Sequence, residues 1–306
     1  MAIRVRVLGA AAGGGFPQWN CNCRNCDGVR KATVRATART QSSIAISGDG
    51  TNWILFNASP DLLTQYKSFA ELQPARAIRD TAIRSIVLMD AQIDHTTGLL
   101  MLREGRPLEI YCTDMVRDDL STGNPLFKIL EHYCGVNWHE IPIRQGSTFE
   151  IIGAEGLVFT AVASKSNAPP YSPHRDKPLA GDNIGMRVTD PRSGAVLFYA
   201  PGLGEIEAHL KPFLNEADVV MVDGTFWTDD EMIQLGLSRK HARDIGHLPQ
   251  SGTGGMMDVL KPLKASRKIL IHINNTNPIL DEDSAERRQL TAAGIEVAYD
   301  GMDLTL

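Results

Sequence analysis

The sequence predicts an α/β domain in which short buried strands deliver polar residues to loops. Three observations carry this expectation. Apolar runs rich in branched side chains, such as Ile86-Val87-Leu88-Met89, Val219-Val220-Met221-Val222 and Ile269-Leu270-Ile271, stop abruptly at Asp90, Asp223 and His272. Segments with helical starts lie between such runs, for example Ser59-Pro60 ahead of Leu62-Leu63. A chain of 306 residues with 43% hydrophobic content is also long and apolar enough to bury a sizeable core.

Taken in order, residues Met1 to Gly9 alternate as a strand does and lack the apolar stretch and cleavage site of a signal peptide. The Gly-rich segment Gly9 to Pro17 matches neither a P-loop nor a dinucleotide fingerprint. Its small residues instead suggest a loop that lets the backbone pass close to a site. The next segment, 19–27, holds Cys21, Cys23 and Cys26. Three thiolates so close together converge on one soft cation, and a structural zinc fits best. An odd cysteine count with this clustering argues for metal thiolates in a reducing compartment rather than disulfides. Cys112 and Cys134 stand alone and read as small core residues.

Strands are expected over 39–47 and 52–57, joined by the turn Gly48-Asp49-Gly50. A helix follows, with Ser59 as N-cap and Pro60 at its first position. Asp61 there either serves the helix dipole or points at a site. Beyond the run at 86–89 come a helix to about Arg103, a strand at Leu108–Cys112, helices near 115–120 and 127–133, and a segment 138–142 leading into a strand. His132 and His139 sit among core-like neighbours and read as structural. A strand over 156–163 empties into a Pro-rich loop, 164–175, whose Lys165, His174 and Arg175 are candidates to hold an anionic substrate. Strands at 183–190 and 195–200 precede a helix through Leu214. Then come the strand ending at Asp223, a loop carrying His241 and His247, the strand ending at His272, and a last strand over 295–300.

The chemistry concentrates at Asp90, Gln92, Asp94 and His95, which lie between a buried strand and a helix start. Carboxylates and an imidazole packed so closely stay unpaired unless a cation sits among them, so a bound metal is the simplest reading. The net charge of −5, with Lys and Arg scattered along the chain, argues against a nucleic-acid partner. No apolar run is long enough for a membrane span. A cytoplasmic protein is expected.

The stretch Asp90-Ala91-Gln92-Ile93-Asp94-His95 resembles the His-x-His-x-Asp-His loop of the metallo-β-lactamase superfamily, with Asp90 and Gln92 replacing its first two histidines. Together with Gly246-His247-Leu248-Pro249-Gln250-Ser251-Gly252 and the Cys cluster, it identifies the chain as a member of the pyrroloquinoline quinone (PQQ) biosynthesis B family over nearly its whole length. The resemblance implies an αββα four-layer sandwich, formed as one domain over 1–306. It makes Asp223 the bridging-carboxylate position and His272 the last metal ligand. His247 then lies near the active-site mouth, placed to donate a proton, bind substrate or complete the zinc site. In the phosphodiesterase branch a His at the position of Asn275 completes the Cys cluster. Here His241, His247, a water or a main-chain group must do so. Ser164 stands where hydrolases carry another metal-binding His, a third departure.

The retained ligands are therefore Asp94, His95, Asp223 and His272, with Asp90 adjacent. Two imidazoles with carboxylates and open positions resemble the ligand set of non-haem Fe(II) oxygen enzymes. Losing the replaced histidines should cripple a dinuclear hydrolase. The expected function is hydroxylation of a Tyr-derived Glu-Tyr intermediate of PQQ biosynthesis, dependent on Fe(II) or another divalent metal, with Gln92 and the basic loop binding substrate. Carriage of PQQ or its precursor toward the periplasm is the second reading, and metal-dependent hydrolysis the third. The expected partners are that precursor or PQQ itself, other PQQ-pathway proteins, and a second copy of the chain in a homodimer.

Overall fold

The computed structural model describes residues 2–306; Met1, the first residue of the expected N-terminal strand, lies outside them. The strands are short, β-branched and punctuated by loops. In chain order they are β1 (Arg4–Gly9), β2 (Ser43–Ser47), β3 (Trp53–Phe56), β4 (Ile83–Val87), β5 (Leu108–Cys112), β6 (Val136–Glu140) and β7 (Val158–Ala163). They continue as β8 (Ile184–Thr189), β9 (Val196–Ala200), β10 (Val219–Asp223), β11 (Arg267–Ile271), β12 (Glu296–Val297) and β13 (Asp303–Thr305).

Two mixed sheets result, ordered β13-β1-β2-β3-β4-β5-β6 and β12-β11-β10-β9-β8-β7. In the first, β3 to β6 run parallel and β13 to β3 antiparallel. In the second, β9 to β12 run parallel while β7 and β8 return antiparallel. Side chains alternate across each strand and so divide between two layers. Ile44, Ile46, Phe56 and Val87 meet Phe159, Met186, Tyr199 and Met221 in a core between the sheets. The opposite faces, for example Ala45, Leu55 and Ile110, or Phe198, Val220 and Leu270, pack under helices on either side. The chain is thus the αββα sandwich expected, built by sheets packed face to face.

Several boundaries differ from those the sequence suggests. The helix after Ser59 begins only at Leu62, with Asp61 at its N-cap. The Asp61 carboxylate accepts from the Gln41 backbone N at 2.9 Å and side-chain Nε2 at 3.0 Å, tying down the Gly-rich loop rather than facing the metal cluster. Residues 201–207 form a loop because their amides are engaged elsewhere: Leu203 N donates to Asp223 and Gly204 N to the Lys165 carbonyl. Only Lys211–Glu216 is α-helical there. Residues 136–140 are themselves a strand. The last expected strand shrinks to Glu296–Val297, and β13, unexpected, covers the edge of β1. No helix among the described residues is long and apolar enough to cross a membrane.

Candidate metal centre

Parallel strands leave their carboxyl ends on one rim, where loops collect functional groups. The turn Ile93–Thr96 beyond β4 carries Asp94 and His95, β10 ends at Asp223, and His272 directly follows β11. His272 adopts φ +60°, a left-handed conformation that a non-glycine residue occupies only at a cost of about 1–3 kcal/mol. Its ring there lies against Asp94 and Thr225.

Asp94, His95 and His272 converge there, with one donor atom of each within 4.8 Å of the others. His272 Nε2 lies 3.2 Å and His95 Nε2 3.9 Å from Asp94 Oδ2. His95 Nε2 is buried without a hydrogen-bond partner. Its other nitrogen, Nδ1, lies 2.8 Å from both oxygens of Asp90, so a proton is held there and Nε2 is the nitrogen left to face the cluster. A buried, unsatisfied imidazole nitrogen beside a carboxylate and a second imidazole is the donor arrangement a divalent ion requires.

A second trio, Asp223, His247 and His272, adjoins the first. Thr225 organises it. Its hydroxyl lies 2.6 Å from Asp223 Oδ1, 2.9 Å from His272 Nδ1 and 3.1 Å from His247 Nδ1. Asp223 Oδ2 accepts from Leu203 N at 3.0 Å and pairs with His247 Nδ1 at 2.6 Å.

Burial opposes every charge here, yet the mutual pairing outweighs it. Burial lowers the affinity of His95 for a proton, but the Asp90 and Asp94 carboxylates raise its pKa to about 9, so a cation bound at Nε2 would take the place of a proton. His95 and His272 hold the Asp94 carboxyl well below the usual range against the same burial penalty. Asp223 is likewise lowered, chiefly by His247, and His247 is raised by Asp223. The carboxylates are therefore kept ionised, as metal ligands must be.

The cluster opens into a pocket of about 290 Å³ lined by Asp90, Gln92, Asp94, His95, His247 and His272, with Arg175 on its wall. Ala12 and Gly13 of the Gly-rich loop also reach it, and a Cβ on Gly13 would come within 3.3 Å of Asp94 Oδ2. Backbone passes close to the site, as the small residues suggest.

This geometry bears on four expected roles. Asp90 stands behind His95 with both oxygens 2.8 Å from its Nδ1, and Oδ1 also accepts from Gln92 N at 2.9 Å, an arrangement that suits an orienting group. Asp223 has both oxygens engaged by Leu203, Thr225 and His247, and is grouped with His247 and His272 rather than with Asp94 and His95. Lys165 is exposed and paired with Glu205 at 2.6 Å, outside the pocket. His174 pairs with Asp182 at 2.7 Å and also lies outside it. Arg175 and Gln92 do line the pocket; the Gln92 amide donates to the Asn167 carbonyl at 3.1 Å.

Cys21, Cys23 and Cys26 form a separate trio of sulfurs. Asn275 takes the fourth side, its amide nitrogen 3.0 Å from Cys21 Sγ and 3.4 Å from Cys26 Sγ. His247 is committed to Asp223, and His241 lies against Asp229, so neither joins the sulfurs. Cys112 and Cys134 are buried core residues whose thiols burial pushes up, Cys112 to about 12.

Thr225, Asn183 and Asn274 also face this site and were not singled out in the sequence. The one available signal was position, since Thr225 and Asn274 lie two residues beyond Asp223 and His272.

Residues 52–273 match a family model described as a beta-lactamase superfamily domain. The chain is 67% identical over 306 residues to a coenzyme PQQ synthesis protein B from Azoarcus sp., covering 99% of this chain and 100% of that one. It belongs to the coenzyme PQQ synthesis protein B family. The Methylobacillus flagellatus member is 66% identical over 305 residues, with 99% and 100% of the two chains covered. A crystal structure of Zn²⁺-bound PqqB from Methylobacterium extorquens superposes with a TM-score of 0.89 at 34% identity, covering 99% of this chain and 100% of that one. The fold of the family is therefore this chain's fold, and metal binding fits its donor set.

Proposed function

We propose that the chain acts in PQQ biosynthesis as an Fe(II)-dependent hydroxylase of the Tyr-derived ring of a Glu-Tyr intermediate. The observation that carries this reading is the convergence of Asp94, His95 and His272 around the unpartnered Nε2 of His95. Two histidines and one carboxylate on one side of an open pocket form the ligand pattern of non-haem iron oxygenases. Relatives named for PQQ synthesis support the pathway.

Asp94, His95 and His272 would hold the ion, which supplies activation of O₂. In the net reaction one oxygen atom enters a ring C–H bond and the other leaves as water, with two electrons from an external reductant of the ascorbate class. Asp90 fixes the His95 tautomer, and the Thr225 hydroxyl, 2.9 Å from His272 Nδ1, holds the orientation of that ring. Arg175 offers the pocket wall a cation for a substrate carboxylate. His247, held by Asp223 and lining the pocket, is placed to hold or move a proton on the ring oxygen.

Five free cysteines, three of them suited to zinc, agree with a reducing compartment such as the cytoplasm. Exposed Leu235 and Leu237 share a groove with Cys21 and Cys23, which supports placing a homodimer contact at the zinc loop.

The test is anaerobic reconstitution with Fe(II), followed by O₂, reductant and a Tyr-derived substrate. The reading requires O₂ consumption matched by a product heavier by one oxygen atom. Tight, metal-independent binding of PQQ without turnover would replace it with the carrier, and Zn²⁺-dependent phosphodiester cleavage with the hydrolase.

A further inference from the structure

A second group of ligand-type side chains lies outside the pocket, where the helix Asp114–Asp119 meets the loop between β7 and β8. Asp119, His174 and Asp182 each place one donor atom within 4.8 Å of the others. His174 Nε2 lies 2.7 Å from Asp182 Oδ1 and 3.8 Å from Asp119 Oδ1, and both aspartate side chains are 1% exposed. Asp182 has a second partner, Leu179 N, at 2.6 Å. Asp119 has none: both carboxylate oxygens are buried without a hydrogen bond in acceptable geometry, although the Ser172 hydroxyl is near enough to favour the anion.

Two buried carboxylates facing one imidazole are poorly compensated. Among the described residues no lysine or arginine forms an ion pair with either aspartate. An unpartnered buried carboxylate costs several kcal/mol unless a cation or a proton neutralises it. Burial accordingly raises the Asp119 pKa, and Asp182 and Asp118 add to the rise while Ser172 and His174 oppose it.

The unpartnered Asp119 carboxylate, converging with His174 and Asp182, leaves a place for a divalent ion. Donor atoms about 2.0–2.2 Å from one tetrahedral Zn²⁺ lie roughly 3.3–3.5 Å apart. His174 Nε2 and Asp119 Oδ1, 3.8 Å apart, lie near that spacing, whereas the 2.7 Å from His174 to Asp182 is a hydrogen bond whose proton an entering ion would displace. The same pattern, a buried polar atom left unsatisfied beside a histidine–aspartate pair, marks the candidate metal centre at His95.

We infer that Asp119, His174 and Asp182 form a further divalent-cation site, of the Zn²⁺ class, that fastens the pocket loop to the helix. One imidazole and two carboxylates suit a borderline ion taking nitrogen and oxygen ligands. The position gives the site a purpose. Ser166, Pro170 and Arg175 of the same loop line the pocket, and Arg175 directly follows His174. A cation at this point fixes the guanidinium wall without touching the reacting groups, so these are positioning residues.

Zinc counting on the full chain tests the assignment. After chelation and re-titration with Zn²⁺, the wild type should hold one more equivalent per chain than His174→Ala. The same difference should appear when both carry His272→Ala, which removes the candidate metal centre from the count. Zinc should also slow proteolytic cleavage within residues 164–182 at least tenfold in the wild type and not in His174→Ala. Asp119→Asn should reproduce both losses where it folds. An unchanged zinc count in His174→Ala, with native melting behaviour, overturns the proposal.

Discussion

Both carboxylate oxygens of Asp90 lie 2.8 Å from Nδ1 of His95, and the opposite nitrogen of that ring is buried with nothing to bond. The pair explains how a carboxylate at the first position of the superfamily loop serves the site without ligating. It fixes which nitrogen is free. Replacing Asp90 by Asn weakens the orienting bond and offers a donor where the ring also presents one. Affinity for Fe(II), measured by anaerobic titration, should fall about 10–100-fold with the fold retained. Unchanged affinity would show that His95 is oriented by something else.

Thr225 holds Asp223, His272 and His247 through one hydroxyl. Thr225→Val keeps the shape but leaves a buried carboxylate oxygen and an imidazole nitrogen short of a partner, a loss of about 1–3 kcal/mol. Urea unfolding should show a lower midpoint with an unchanged slope. A wild-type midpoint would mean that the hydroxyl is replaceable.

The basic residues of the pocket loop separate into two classes. Arg175 lines the pocket, whereas Lys165 is exposed against Glu205. Steady-state kinetics with the Tyr-derived substrate should give a KM raised about tenfold or more for Arg175→Ala, the loss of one charge-assisted contact. Lys165→Ala should match the wild type. The reverse order would reassign the substrate carboxylate.

Glu231, which is not itself among the metal donors, provides a pH-dependent test. Burial raises its carboxyl from 4.5 to about 7, against hydrogen bonds from Thr276 and the Trp227 and Thr228 amides. Between those values the folded chain keeps a proton that the unfolded chain has released. Stability from this group is therefore full below about pH 4.5, falls as pH rises toward 7, and levels off above. The difference amounts to up to about 3 kcal/mol. Glu231→Gln should flatten this part of the stability profile relative to the wild type, and an identical slope in both proteins would contradict the assignment.

Much of the fold was legible because each buried strand announces itself locally. Val219 to Asp223 and Arg267 to Ile271 carry the branched apolar pattern, and their terminal Asp and His mark the rim. What lay beyond reach were pairings made across the chain. Lys165 and His174 read as free cations because Glu205 and Asp182 meet them only through folding. His139, taken as structural, finds Glu109 across the β5–β6 ladder at 2.6 Å. Nor does a sequence say which neighbouring donors will engage carboxylates such as those of Asp90 and Asp223. Thr225 carried only the signal of its position beyond Asp223, since a threonine after a glycine otherwise resembles any turn. The strand β13 was missed because Asp303 to Thr305 is too short to show a period and exists by pairing with β1.

The central claim is that Asp94, His95 and His272 hold one iron with a coordination place left open to the pocket. Electron paramagnetic resonance of the Fe(II)-loaded protein exposed anaerobically to nitric oxide tests it most directly. The signal of a high-spin iron nitrosyl should appear in the wild type and in Cys23→Ala, and vanish in Asp94→Ala, His95→Ala and His272→Ala. A signal that survives all three substitutions, or bound iron that takes up no nitric oxide, would contradict the account.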